Sequence, residues 1–278
     1  MRDDSHQIDV GGVQPSARLI VDKIACVYIH HLGASLITLV AHGSAVKGGI
    51  IPGSSDVDTV AFVREDVLTQ HGELPLGLAV DLHRDLARID PAPYRYLQGH
   101  VQPAGTTHGL TFVPGTFHVI TGAADLPVAT GADLLAAAHR ALAMFDAGAA
   151  SAGISNALLD HGEGRLDGQV RWTCTDVWPP MYHVACVHLG DGLAAWQRTK
   201  HEVLDVLHDE PIVVEPLARW FEAVTAHYAN GETRESALAA LSAGAAFHDA
   251  VARWIDERRG NETGPFAAGR IVKCPENP

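Results

Sequence analysis

The sequence predicts an α+β fold: residues 1–125 form a domain with a mixed sheet flanked by helices, and residues 126–278 form a helical bundle. Short β-rich runs alternate with helical patterns in the first part, whereas the long apolar patterns after residue 127 repeat at 3.6 residues. At 278 residues and 47% hydrophobic, the chain has enough apolar side chain for one large core or two modest ones.

Residues 16–32, "SARLIVDKIACVYIHHL", set Leu19, Ile20, Ile24, Val27 and Tyr28 at helical spacing, with Ser16 as the expected cap. "SLITLVAHGS" follows as a strand ending at Gly43-Ser44. "VKGGIIPGSS" is loop chemistry, with paired glycines and Pro52-Gly53. "DVDTVAFV" then reads as a strand in which Asp56, Asp58, Val60 and Phe62 share one parity. Residues 73–90 predict a helix around Leu78, Leu82, Leu86 and Ile89, stopped by Pro91 and Pro93. "YRYLQGHVQP" is a further strand, and "GLTFV" and "TFHVIT" are expected to add two more. The helical patterns that follow are "GADLLAAAHRALAMFDAGAASA", "AAWQRTKHEVLDVLH", "EPLARWFEAVTAHYANG" and "RESALAALSAGAAFHDAVARWIDERR". "GRIVKCPENP" is read as a loose tail.

A formal charge of -13 is the wrong balance for a protein living on duplex nucleic acid, so nucleic acid is not an expected partner. No apolar run is long enough to cross a membrane, and the polar "MRDDSHQIDVGG" start is unlike a secretory leader. Cys26, Cys174, Cys186 and Cys274 lie far apart with no CxxC pair, which predicts unpaired thiols in a cytoplasmic compartment. The 17 histidines are scattered, and "IHH" at 29–31 has no recognised metal-motif spacing.

The chemistry concentrates in "AHGSAVKGGIIPGSSDVDTVAFV". On a strand, Asp56 and Asp58 project from one face, and two such carboxylates repel unless a cation lies between them. Mg²⁺ fits, because it takes carboxylate oxygens and keeps positions for water and substrate phosphates. The Gly43-Ser44 turn offers backbone N–H groups and a hydroxyl with little bulk, suited to a phosphate oxygen.

These residues resemble the signature of the DNA polymerase β-type nucleotidyltransferases: "HGS", eleven residues, then "DVD" between two apolar strands. The wording is most similar to small bacterial members that include aminoglycoside adenylyltransferases. The resemblance implies ATP as substrate, with Mg²⁺ held by Asp56 and Asp58 and phosphates contacted by Gly43, Ser44 and Ser55. "AAWQRTKHEVLDVL" resembles the family's C-terminal helix, whose basic residue reaches the nucleotide phosphates, and Lys200 is the matching position.

The departure from the family pattern is the third carboxylate, expected on the strand after the helix. Gln98 in "YLQGHV" stands there, and an amide neither takes a proton at neutral pH nor ligates Mg²⁺ well. Three resolutions remain open: His100, two residues on, acts as base; Asp81 or Asp85 substitutes; or the chain keeps nucleotide binding with lost or altered transfer. The expected acceptor is a small hydroxyl- or amine-bearing molecule, such as an aminoglycoside or a natural-product intermediate. Nucleotidylation of a macromolecule ranks below it. Trp172, Asp176, Trp178 and Tyr182, in a Pro-bearing segment between helical runs, are expected either to contact that acceptor or to pack as a connection.

Overall fold

The computed structural model describes residues 7–105, 111–159, 162 and 164–261. The fold is α+β, with a four-stranded mixed sheet, and the chain divides into two compact units. Residues 1–131 and 193–202 make the first, and 132–192 with 203–278 make the second.

In the first unit, α1 (Arg18–Leu32) leads to β1 (Leu36–His42), the single turn α2 (Ser44–Lys47) and β2 (Val57–Val63). Then come α3 (Leu76–Leu86), β3 (Leu97–Pro103) and β4 (Phe117–Gly122). The sheet order is β3-β2-β1-β4, with β1 antiparallel to both β2 and β4 and β2 parallel to β3.

Alternation along the strands divides the apolar side chains between two layers. One holds Leu39, Ala41, Val57, Ala61 and Val63 with Ile20, Val21, Ile24 and Tyr28 of α1 and Leu82 of α3. The other is smaller and aromatic: Val40, Val60, Phe62 and Phe112, with Phe117 and Val119 against them. Burying such side chains stabilises by about 1.5–3 kcal/mol each, so the first layer is the main anchor of the sheet.

Three local expectations are corrected. Ser16 does not cap α1: Ala17 holds that position without a side-chain bond, and the Ser16 hydroxyl meets the Tyr94 hydroxyl at 3.2 Å. Leu19 faces solvent, and Val21 and Ala25 fill the buried stripe instead. "GLTFV" contributes no strand at Thr111–Val113, where Phe112 makes one isolated bridge to Val128. Its first two residues, like Cys274 and the expected C-terminal tail, lie outside the described residues.

The second unit is helical. It contains α4 (Gly131–Ala143), α5 (Ala147–Ala157), α6 (Arg165–Leu189), α9 (Pro211–Ala229) and α10 (Arg234–Asn261). α7 (Gly192–Trp196) falls almost wholly in the first unit, and α8 (Lys200–Val206) straddles the division. The single run expected from "GADLLAAAHRALAMFDAGAASA" is broken because Asp146 caps a new helix, its carboxylate accepting from Ala149 N at 3.1 Å.

The Pro-bearing segment is helical too. Pro179 and Pro180 lie inside α6. Proline removes the N–H that would bond the carbonyl four residues back, so Pro180 frees Asp176 O. His248 Nε2 of α10 meets that carbonyl at 3.3 Å and supplies the missing donor. No helix among the described residues is long and apolar enough to cross a membrane.

Candidate functional site

The site is built on the sheet face opposite α1. Pairing puts His42 of β1 beside Asp58 of β2, and Asp58 beside Gln98 of β3. The next row runs Val40, Val60, His100. Directly paired residues share a face, so His42, Asp58, Gln98 and His100 form one polar patch beyond the aromatic layer. Asp56, immediately before β2, is half-buried beside it.

Gly43 makes the turn out of β1 at φ +67°, ψ -141°, a conformation that side-chain-bearing residues avoid. A Cβ there would stand 2.7 Å from Asp58 Oδ2, so the missing methyl is the space this carboxylate occupies. Ser44 is buried, and its hydroxyl donates to Asp56 O at 3.2 Å, tying the turn to the start of β2. Ser55 is buried as well, and its Oγ accepts from Ile51 N at 2.9 Å. In this geometry the Ser55 hydroxyl shapes the loop.

Just before β3, the Tyr96 hydroxyl donates to Gln98 Oε1 at 3.1 Å. This leaves the Gln98 amide nitrogen, 3.1 Å from His100 Nε2, as the donor in that second contact. With this amide orientation, assigned from the hydrogen-bond pattern, His100 Nε2 carries a lone pair. The imidazole is exposed, on an edge strand. Gln98 therefore positions His100 as well as neighbouring Asp58.

Two site residues escaped the sequence reading although both lie within the quoted motif. His42 is largely buried, with its ring edge-on to Phe112 at 5.9 Å, and its Nε2 has no hydrogen-bond partner among the described residues. Burial, then the nearby His100, pushes its pKa down to about 4, against a smaller opposite pull from Asp56. Lys47 is largely buried and donates from Nζ to Trp196 O at 3.0 Å. Burial, then the neighbouring Lys200, brings its pKa to about 7, with Glu202 pulling the other way. Lys200 thus stands close to the Gly43–Lys47 turn within the first unit. A lysine three residues past Ser44 was visible in the sequence. Its encounter with residues 196–202 was not.

The remaining candidates separate. Asp81 faces solvent and pairs with Arg84, and Asp85 pairs with His31 at 2.8 Å and with Arg88 at 2.6 Å. These partners give both carboxylates ordinary surface roles. His30, His31 and Asp85 do bring potential metal-ligand atoms within 4.8 Å of one another, at a place where the sequence spacing showed no motif. On α6, Trp172 is 67% exposed and Asp176 is exposed, whereas Tyr182 is buried and Trp178 packs on Trp220 and Phe221 at 5.9 and 5.1 Å. Trp178 and Tyr182 belong to the helical core, and the four do not share one surface. Cys26, Cys174 and Cys186 are free thiols.

The donor set suits a hard divalent ion. Asp58 and Asp56 supply carboxylate oxygens beside a turn without side-chain bulk, and Mg²⁺ is commonly held by only one or two carboxylates plus phosphate oxygens and water. No protein-family model and no curated protein matches this sequence.

Proposed function

We propose that the chain is a Mg²⁺-dependent nucleotidyltransferase that moves an NMP, with ATP as the donor, to a hydroxyl or amine of a small molecule. The observation carrying this reading is the row His42–Asp58–Gln98 beside the Gly43 turn, with Asp58 Oδ2 in the space a side chain at 43 would fill.

The residues divide the work as follows. Asp56 and Asp58 would hold the metal, which would screen phosphate charge and polarise the α-phosphate. Gly43 and Ser44 form the low-bulk turn on which phosphate oxygens rest. Lys200 offsets charge further along the triphosphate. The acceptor oxygen or nitrogen bonds to the α-phosphorus, the bond to the bridging oxygen breaks, and pyrophosphate leaves. The acceptor's proton passes to His100 Nε2 once the acceptor replaces the Gln98 amide there. Positioning and charge neutralisation carry most of the rate enhancement.

The test is pyrophosphate release from ATP and Mg²⁺ with a panel of aminoglycosides and other amino-sugars, repeated with Asp58→Asn and His100→Ala. Turnover with a panel member, lost in both variants while His100→Ala still binds ATP, is the expected result. A second reading is nucleotide binding without efficient transfer. It is favoured by Gln98 standing directly beside Asp58, where the resemblance implies a carboxylate. ATP binding without pyrophosphate release across the panel would favour it.

A further inference from the structure

On the sheet face opposite the candidate site, α1 meets α3, and the two helices bring three metal-ligating side chains together. His30 and His31 lie in the last turn of α1, and Asp85 lies in the last turn of α3. Their ligating atoms all stand within 4.8 Å of one another. The His30 and His31 rings sit edge-on, with centroids 4.9 Å apart. Consecutive helix residues point about 100° apart, so "IHH" has no metal-motif spacing and the fold alone makes the cluster.

The Asp85 carboxylate divides its two oxygens between two partners. Oδ1 accepts from Arg88 at 2.6 Å, and Oδ2 lies 2.8 Å from His31 Nε2. One oxygen is thus held from outside while the other faces the imidazole, the way outer partners orient a ligating carboxylate. A helix–helix ion pair needs only His31 and Asp85. His30, exposed beside them, adds a third ligand and leaves a fourth position open to solvent. Bonds of about 2.0–2.2 Å in a tetrahedral site set ligand atoms about 3.3 Å apart. The His31–Asp85 contact therefore opens by about 0.5 Å and His30 closes in, shifts that side-chain rotation supplies. The carbonyl end of α1 favours a cation at the same place.

We propose that His30, His31 and Asp85 bind one Zn²⁺-class divalent ion, with water in the fourth position, and that this ion clips the end of α1 to α3. Two imidazoles and one carboxylate favour Zn²⁺ over Mg²⁺, which prefers oxygen ligands. The clip reinforces packing already in place, since Ile24 and Tyr28 of α1 and Leu82 of α3 share one buried layer. It is separate from Asp56 and Asp58 and does not depend on the nucleotide reading.

The experiment is calorimetric titration of ZnCl₂ into the full chain, without an affinity tag and in a buffer that does not bind metal. His30→Gln, Asp85→Asn, Cys26→Ser and Asp58→Asn are titrated beside it, each checked by circular dichroism. His30→Gln is the decisive variant, because an exposed residue outside the His31–Asp85 pair is replaced without touching the core. The wild type, Cys26→Ser and Asp58→Asn should share one tight class of about one ion per chain. His30→Gln and Asp85→Asn should bind that ion at least about tenfold more weakly. Excess Zn²⁺ should raise the thermal midpoint of the wild type by about 3 °C or more, and that of His30→Gln far less. Co²⁺ in place of Zn²⁺ should give the visible absorption of a four-coordinate site without a thiolate band.

Equal Zn²⁺ affinity in the wild type and His30→Gln would overturn the proposal. So would loss of binding in Cys26→Ser or a thiolate band with Co²⁺, either of which moves the ion to the exposed thiol on α1. Loss in Asp58→Asn with retention in His30→Gln would move it to the aspartate pair, sinking the clip and leaving the nucleotide reading intact.

Discussion

Gly43→Ala is the most informative single change at the site, because two penalties fall on one methyl group. The first is backbone strain. At φ +67°, ψ -141° an alanine occupies a region reserved almost entirely for glycine, which costs about 1–3 kcal/mol. The second is steric: the new Cβ would stand 2.7 Å from Asp58 Oδ2, and the carboxylate must turn away, at about 0.5–1.5 kcal/mol if it leaves its rotamer. The smaller entropy of an unfolded alanine chain returns about 0.4–1 kcal/mol, leaving a net loss of about 0.5–4 kcal/mol, centred near about 2.

Gly72→Ala serves as the control. Gly72 also has positive φ, at +80°, but no neighbour lies within 4 Å of the Cβ it would gain. Urea unfolding of the three proteins should rank wild type above Gly72→Ala above Gly43→Ala, and Mg²⁺–ATP affinity should fall at least about tenfold in Gly43→Ala alone. A Gly43→Ala protein as stable as Gly72→Ala and with wild-type nucleotide affinity would refute the claim that the turn is shaped around the Asp58 carboxylate.

Other outcomes follow from the same geometry. His42, ordinarily near 6.5 and here about 4, binds fewer protons folded than unfolded, so its contribution is intact above pH 6.5 and is lost as the pH falls towards 4. The loss is about 3 kcal/mol, and denaturant unfolding of His42→Leu across that window should show a flatter acid limb. Gln98→Glu removes the amide that donates to His100 Nε2 and should lower the rate of pyrophosphate release; a gain would show that a carboxylate beside Asp58 in the β2–β3 register, and not His100, is the base the reaction needs. His248→Phe should cost about 1–3 kcal/mol in thermal unfolding, because it strips the donor from the Asp176 carbonyl that Pro180 leaves free. Trp172→Ala should leave stability within about 0.5 kcal/mol, whereas Tyr182→Ala should cost about 3–5 kcal/mol.

What the sequence made legible has a physical boundary. β1, β2, β3 and α3 could be read because alternation or helical spacing and their Gly/Pro stops are local signals. The pairing of Asp58 with Gln98 was not readable, since register depends on how strands distant in sequence meet. Prolines at 179 and 180 suggested an interruption, yet α6 runs through them with His248, 68 residues after Pro180, supplying a donor to the freed carbonyl. His42 and Lys47 show the same limit. Their residue types were visible in the motif, but the burial and charged neighbours that set their protonation come from elsewhere in the fold.

Titrating ATP with and without Mg²⁺ into the wild type and Asp58→Asn, by calorimetry at one pH, tests the central claim most directly. Mg²⁺ should tighten ATP binding to the wild type, and the amide variant, equally folded, should lose that enhancement. Identical Mg²⁺ dependence in the two proteins, or no ATP binding by either, would contradict it.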